Sequence, residues 1–267
     1  DRSPSRGLGD VYKRQKQHHQ PLDRGLQFGD GHFTTLRLHN GKPLWWDYHW
    51  QRLVLASQRL ALPVPERQQV EAWLAELTAG QPDGVAKIIV TRGFGGRGYM
   101  PPAAVESNTY MQVSPLPLVA ATINTVAVAE LQLARQPVLA GLKTLNRLEQ
   151  VLLAREREEK GVDDLLVLDH HNALIECCQG NIFWRSNDQW FTPSLQQAGV
   201  AGVARQVIID QQWLERVNQG VFTLEDLYQA DQAFVCNSVR GAVPIKQLNG
   251  KVLSTDLPEL LKQLTAC

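Results

Sequence analysis

A lysine and a glutamate in this chain are of the residue types that one cofactor chemistry requires. Lys143 is flanked by Leu142 and Leu145, and Glu176 follows the apolar pair Leu174–Ile175. A lysine amine forms an imine with an aldehyde, and a carboxylate keeps a pyridine nitrogen protonated; pyridoxal phosphate chemistry needs both. An amine among apolar groups loses solvation, so its pKa falls and more of it is the nucleophilic free base. The ordinary alternatives are a solvated surface lysine and a glutamate paired with an arginine.

Three further features offer binding groups for an anion such as a phosphate. Gly199–Arg205 is rich in small residues and precedes a predicted helix, where backbone amides and the helix dipole attract negative charge. Asn237 and Ser238 follow a predicted strand, and Arg52 is a cation on a predicted helix. Each feature is weak alone, because a glycine before a helix is often only a turn and an arginine is often in a surface ion pair.

The loop Arg92–Tyr99 contains two arginines and four glycines. It lacks the Gly-Lys-Ser/Thr ending of a nucleotide-binding P-loop. We interpret it as a flexible arm that presents guanidinium groups to carboxylates. We find no cluster of metal-ligating residues and predict no metal.

Composition excludes several classes of partner. Lys+Arg and Asp+Glu are both 27, so the formal net charge is zero and neither nucleic acid nor a membrane surface is an expected partner. The longest apolar stretches are too short to span a bilayer, and no export signal is recognisable at the start. The four cysteines include no C-x-x-C pair, which is typical of free thiols in a reducing cytosol. We therefore expect a cytoplasmic protein.

The first residues resemble translated library DNA rather than protein. Ser5–Gln15 resembles a translation of the adapter and transposon-end DNA used in sequencing libraries, so we expect Asp1–Gln15 to lie outside the fold. The true start of the chain, and with it a first strand, is then expected to be missing.

The pattern of apolar residues predicts alternating strands and helices. Asn40–Gly41 favours a hairpin that returns through Pro43–Trp46, and Asp47 is the expected N-cap of the helix that follows. Predicted strands are Phe28–His39, Val85–Thr91, Thr109–Val113, Thr122–Glu130, Leu165–Asp169, Asn181–Arg185 and Ala233–Asn237. Predicted helices are Asp47–Leu60, Pro65–Leu77, Asn146–Lys160 and Val203–Leu214.

These elements predict an α/β (α+β) fold of two subdomains. Pro115–Pro117 reads as a linker within residues 115–120. We expect an α+β subdomain at 16–114 and a cofactor-binding subdomain at 121–267, with the cofactor in the cleft between them.

From about Leu22 onward, the chain resembles the fold-type IV pyridoxal phosphate enzymes, the group of D-amino acid and branched-chain aminotransferases. Within that group it resembles the aminodeoxychorismate lyases. The segments that carry the resemblance are Asp23–Gly31, His49–Leu53, Arg92–Tyr99, Leu142–Gln150, Glu176–Cys178 and Asn181–Phe183. The loop Arg92–Tyr99 and the residues that follow Lys143 look specific to the lyases.

The resemblance implies a role for each candidate residue. Lys143 would bind the cofactor covalently and act as the acid–base group, and Glu176 would bind the pyridine nitrogen. Arg52 would bind the phosphate together with Val203, Ala204, Asn237 and Ser238, and Val200 would pack against the ring. Arg97 would bind a substrate carboxylate, and Thr34 or Thr35 would assist a proton transfer.

The resemblance also implies a reaction and an assembly. The expected reaction is cleavage of 4-amino-4-deoxychorismate to 4-aminobenzoate and pyruvate, for folate precursor synthesis, by a homodimer. Where D-amino acid aminotransferases have Tyr-Glu, this chain has Phe33–Thr34, which disfavours transamination. Two alternatives remain: an amino-acid transaminase of the same fold type, or a truncated relative that binds pyridoxal phosphate without turnover.

Overall fold

A computed structural model describes residues 22–79, 83–104 and 106–266 of the chain. The expected artefact at Asp1–Gln15 lies outside the described residues. Within the described ranges the helices are α1 Arg24–Phe28, α2 Trp46–Arg59, α3 Arg67–Leu77, α4 Leu148–Glu159, α5 Val203–Asp210, α6 Leu224–Tyr228 and α7 Glu259–Ala266. The strands are β1 Gly31–His39, β2 Lys42–Pro43, β3 Gly84–Thr91, β4 Asn108–Ser114, β5 Val126–Val128, β6 Asp164–Leu168, β7 Leu174–Cys177, β8 Asn181–Ser186, β9 Gln189–Pro193, β10 Val217–Gly220, β11 Gln232–Asn237, β12 Gly241–Pro244, β13 Gln247–Leu248 and β14 Lys251–Val252.

The first sheet is antiparallel, with the strand order β2-β1-β3-β4. Alternate residues of β1 are buried, and Leu36 and Leu38 pack with Leu53 of α2 and Leu74 of α3. This period of two is why the sequence predicts the strand, and the predictions of β1, β3, β4 and α3 are confirmed.

The start of α2 differs from the prediction. Trp45, with φ of 50°, precedes the helix, and the predicted N-cap residue Asp47 lies instead inside the first turn. There its carboxylate accepts a hydrogen bond of 2.6 Å from Arg67 of α3. The hairpin is shorter than predicted, because only Lys42–Pro43 pairs with β1 before the chain turns into α2.

A five-stranded and a three-stranded sheet, beside the small hairpin β13-β14, follow residue 121. One has the order β10-β9-β8-β11-β12, and the other, β5-β6-β7, pairs β5 and β6 in parallel and β6 and β7 antiparallel. All five residues of β6 and all four of β7 are buried. The sequence predicts β6 from its run of apolar residues, whereas Glu176 interrupts the apolar run of β7, which the sequence does not predict.

The predicted strand Thr122–Glu130 is reduced to Val126–Val128. The carboxylate of Asp163 accepts hydrogen bonds from the amides of Asn124 and Thr125, which are therefore unavailable to a neighbouring strand. The predicted helix Val203–Leu214 ends at Asp210, because Gln212 has a φ of 51°.

The strands of the first sheet and those of the other sheets come from different parts of the chain. Every strand of the first sheet precedes residue 115, and every strand of the other sheets follows residue 121. The boundary at residues 115–120 stays a prediction. Among the described residues, no helix is both long and apolar enough to cross a membrane.

Candidate active site

A cavity of about 280 Å³ collects most of the candidate residues. Its walls come from β1, α2, α4, β7, β8, α5 and β11, so both halves of the chain contribute. The sequence candidates that line it are Thr35, Arg52, Lys143, Glu176, Val200, Val203, Asn237 and Ser238. The other three candidates, Thr34, Arg97 and Ala204, do not line it.

Lys143 lies on a segment whose backbone is hydrogen-bonded to β1. Its carbonyl accepts a bond of 2.9 Å from the amide of Phe33, and the amide of Leu145 donates to the carbonyl of Gly31 at 3.0 Å. The Lys143 Nζ lies 4.7 Å from the centre of the Phe33 ring. These contacts fix the backbone on both sides of the amine and leave the amine facing the cavity.

The amine of Lys143 is tuned towards its free base. Burial, reinforced by the positive charges of Arg52 and Arg147, lowers its pKa from 10.5 to about 8, while Glu176 acts in the opposite direction. About a tenth of the amine is therefore neutral, and so nucleophilic, at about pH 7.

Glu176 lies on β7 with 8 % of its surface exposed. Its Oε2 accepts a hydrogen bond of 2.9 Å from the amide of Val200. Burial raises its pKa from 4.5 to about 7, and the amide of Val200 and the charges of Arg147 and Lys143 oppose that rise. A carboxylate in this state is suited to a partner that is itself protonated.

An anion site forms where α2 meets the start of α5. The Arg52 Nη2 donates to the carbonyl of Ala201 at 2.5 Å, just before the helix. Burial lowers the pKa of Arg52 to about 10, with the charge of Arg147 adding to the effect. The amide groups of the first turn of α5, including that of Val203, have no acceptor within the helix.

Asn181 fixes the loop that leads to this anion site. Its Nδ2 donates to the carbonyl of Val200 at 2.9 Å, and its Oδ1 accepts from the amide of Gly202 at 3.0 Å. A Cβ on Gly202 would lie 2.1 Å from that Oδ1, so any larger residue here would displace the Asn181 side chain. Asn181 therefore fixes the loop that presents both Val200 and the start of α5.

Asn237 and Ser238 form a turn at the cavity wall. The Asn237 Oδ1 accepts hydrogen bonds from the amides of Val239 and Arg240 at 3.0 and 2.7 Å. The hydroxyl of Ser238 donates to the carbonyl of Thr35 at 2.7 Å, which leaves its lone pairs for an incoming donor.

The two threonines of β1 point to opposite sides of the strand. Thr35 lines the cavity, whereas Thr34 is fully buried and its hydroxyl lies 2.6 Å from His49 Nδ1. Burial holds the pKa of His49 well below its ordinary value, and the charge of Arg52 reinforces this. Ala204 is also fully buried, packed in the core with Ile208.

The two arginines of the glycine-rich loop lie in different environments. Arg92 is buried, and its guanidinium donates to Asp30 and to the carbonyls of Leu60 and Ala61, which is a structural role. Arg97 is exposed at the tip of the loop. Its assignment to a substrate carboxylate stays a prediction.

Sequence reasoning assigned no role to four polar residues of the cavity wall: Arg147, Gln150, Gln179 and Arg240. Arg147 and Gln150 lie within Leu142–Gln150, a segment that carries the family resemblance, which is a signal that could have located them. Arg147 donates to the carbonyls of Leu142 and Thr144, both at 2.9 Å, and thereby braces the turn that carries Lys143.

Comparison with known proteins identifies similar chains. The sequence profile of the family described as Amino-transferase class IV matches residues 31–248. The chain is 34% identical to the aminodeoxychorismate lyase of Vibrio harveyi, over 91% of this chain and 92% of the relative. It is 28% identical to a putative branched-chain-amino-acid aminotransferase of Methanocaldococcus jannaschii, over 91% and 87%. The crystal structure of 4-amino-4-deoxychorismate lyase from Pseudomonas aeruginosa superposes with a TM-score of 0.84 at 33% identity, covering 98% of this chain and 94% of that one.

Proposed function

We propose a function from one premise: the chain belongs to the amino-transferase class IV family. It is a pyridoxal-phosphate-dependent lyase that converts 4-amino-4-deoxychorismate to 4-aminobenzoate and pyruvate. The observation that carries the proposal is a single cavity that contains a lysine with a pKa lowered to about 8, a buried carboxylate and a candidate anion site. The lyases of Vibrio harveyi and Pseudomonas aeruginosa support the choice of substrate.

The donor set of the cavity fits pyridoxal phosphate. Lys143 supplies the amine, Glu176 the partner for the pyridine nitrogen, and Val200 an apolar contact for the ring. Arg52, Asn237 and the amides of Val203 and Ala204 would bind the phosphate, and Ser238 would do so by turning its hydroxyl from the carbonyl of Thr35 to a phosphate oxygen; Ala204 would contribute only its backbone, since its side chain is buried in the core. When bound, the cofactor supplies an aldehyde for the substrate amine and a conjugated ring that accepts electrons.

The protein groups move two protons during the reaction. The amine of Lys143, once displaced by the substrate, removes the proton from the ring carbon that bears nitrogen. Glu176 keeps the proton on the pyridine nitrogen. The carbon–oxygen bond to the enolpyruvyl group breaks, and a proton delivered from the Lys143 ammonium, with Thr35 assisting, completes pyruvate. The proton count closes without water or an oxidant, and the aromatic ring of the product drives the step.

The competing function is transamination of an amino acid, which the similarity to a putative branched-chain aminotransferase keeps open. Phe33 and Thr34 disfavour transamination, because they replace the Tyr-Glu pair of the D-amino acid aminotransferases. The hydroxyl of Thr34 is bonded to His49, and the ring of Phe33 lies beside the amine of Lys143, so neither supplies a carboxylate to the cavity. A relative that binds the cofactor without turnover is the other alternative.

The assembly and location are also part of the proposal. A homodimer is supported by family analogy and by an apolar stripe of exposed residues on α4, formed by Leu148, Val151 and Leu152. A cytoplasmic location is supported by the free thiols of Cys177 and Cys236.

The test is an absorbance scan of the purified protein, followed by a 4-aminobenzoate assay with aminodeoxychorismate. We expect visible absorbance from the lysine-linked cofactor and formation of both products, and loss of both in Lys143→Ala. Conversion of the cofactor to its amine form by an amino acid, with no 4-aminobenzoate, would identify a transaminase. Cofactor absorbance without any product would identify the relative that lacks turnover.

A further inference from the structure

Arg240 is a half-buried arginine in the wall of the candidate active site with no role in holding the cofactor. It follows the turn at Asn237 and Ser238, and its own amide donates to the Asn237 Oδ1 at 2.7 Å. This turn fixes the backbone of Arg240 at the edge of the cavity that contains Lys143.

One neutral contact orients its guanidinium. The Arg240 Nη1 donates to the Oε1 of Gln179 at 2.7 Å. Gln179 is itself fixed at two points, since its Nε2 donates to the carbonyl of Asp163 and its carbonyl accepts from Asn237. No other described residue accepts a hydrogen bond from Arg240, so its Nε and Nη2 are available to a ligand.

The charge of Arg240 is not neutralised by an ion pair with a described carboxylate. Arg52 bonds to a carbonyl beside the anion site, and Arg147 makes three hydrogen bonds to the turn around Lys143 and lies near Glu176. Within the described part of the chain, no carboxylate lies within 4.0 Å of Arg240. Its charge acts on Asp164, but that carboxylate is completely buried and forms no ion pair with it.

A half-buried guanidinium with free donors favours a carboxylate ligand, because two parallel N–H groups match two carboxylate oxygens. We propose that Arg240 binds a carboxylate of the substrate in this cavity. The inference rests on the proposed function: the products 4-aminobenzoate and pyruvate carry one carboxylate each, so the substrate carries two. Arg97 is then needed for at most one of them.

The expected effect follows from the strength of charge-assisted hydrogen bonds. Loss of such a contact weakens binding by about 10- to 100-fold. Because the carboxylate is bound in the substrate and in the transition state alike, Arg240→Gln should raise KM by this factor with little change in kcat. Arg240→Lys should restore part of the loss, since it keeps the charge but not the paired geometry.

The experiment measures binding of 4-aminobenzoate, 4-aminobenzamide and pyruvate to the cofactor-loaded protein by calorimetry, beside lyase kinetics. We expect Arg240→Gln to weaken either 4-aminobenzoate or pyruvate, and the acid affected identifies the substrate carboxylate. Binding of the uncharged amide should not change. The control is Arg67→Gln, an exposed arginine of α3 that lies outside the cavity.

Three outcomes would overturn the inference. Unchanged binding of both acids would show that Arg240 does not bind the substrate. Equal weakening of acid and amide binding would indicate a merely structural role. Loss of the cofactor from the variant would show that Arg240 binds the cofactor instead. Failure of the wild-type protein to form 4-aminobenzoate would refute the proposed function instead. The binding arm still decides the role of Arg240 in that case, because it requires no turnover.

Discussion

Replacement of the buried carboxylate Glu176 by glutamine should stabilise the cofactor-free protein at alkaline pH. Burial raises the pKa of Glu176 from 4.5 to about 7, so the folded protein holds an ionised carboxylate there only at a free-energy cost. The hydrogen bond of 2.9 Å from the amide of Val200 is kept, because the glutamine side chain also presents an acceptor oxygen.

The magnitude follows from the difference between the two pKa values. A difference of about 2.5 corresponds to ~3 kcal/mol of unfolding free energy. The folded state binds the proton more tightly, so the cost is absent below about pH 4.5, grows as pH rises through about 7, and is complete above it. At about pH 9 Lys143, with a pKa of about 8, is mostly neutral, so its attraction to Glu176 hardly offsets the cost.

The assay is urea unfolding of the cofactor-free wild type and of Glu176→Gln. We expect the variant to be more stable by ~3 kcal/mol at about pH 9, and the difference to be nearly absent at about pH 4. Glu158→Gln, which removes an exposed carboxylate from α4, should show no such pH-dependent gain. A variant that is no more stable than wild type at about pH 9, or equally stabilised at both pH values, would refute the argument from burial.

The cofactor should reverse the ranking. A protonated ring nitrogen would give Glu176 a positive hydrogen-bond donor, and glutamine does not provide the matching negative charge. Turnover of Glu176→Gln should therefore fall by about 100-fold, the size of effect seen when one preorganised electrostatic contact is removed. Stability and activity would then change in opposite directions at one residue.

Three further predictions concern the same cavity. The rate at which pyridoxal phosphate attaches to the Lys143 amine should rise with pH and level off above about 8, as measured by stopped-flow absorbance; a midpoint near the ordinary lysine value would contradict the effect of burial. Thr35→Val should lower kcat by about 10-fold with little effect on urea unfolding, whereas Thr34→Val should cost about 1–3 kcal/mol of stability, because it leaves His49 Nδ1 without its partner; the reverse pattern would exchange their roles. Gly202→Ala should weaken cofactor affinity by about 10-fold in a fluorescence titration, since its Cβ would displace Asn181; unchanged affinity would show that the anion site does not depend on this contact.

The sequence predicts the elements whose side chains alternate between core and surface. The strand β1 shows a clear period of two, and its buried residues and partner strand follow from that pattern. The pattern does not predict a strand correctly where a side chain accepts the hydrogen bonds of its backbone amides. Asp163 takes the amides of Asn124 and Thr125, a contact across nearly forty residues that local propensity cannot reveal.

The same distinction applies to the candidate site. Lys143, Glu176 and Arg52 stand in segments that resemble a known family, and all three line one cavity. Arg240 and Gln179 stand in no such segment with an assigned role, and their hydrogen bond joins residues 61 positions apart. Only the pairing of β8 with β11 brings them together, so this part of the site required the fold.

The charge of the cavity explains how a chain without net charge can hold polyanionic molecules. The chain has 27 basic and 27 acidic residues, yet four basic residues and a single acidic one, Glu176, line the cavity: Arg52, Lys143, Arg147 and Arg240. Such a concentration attracts a phosphate and two carboxylates, and low-dielectric walls strengthen the attraction. It also depresses the pKa of the lysine that must be neutral to react. In the proposed function, the arginines that would favour the ligands would therefore also lower the pKa of the nucleophile, which would couple binding to reactivity without any additional residue.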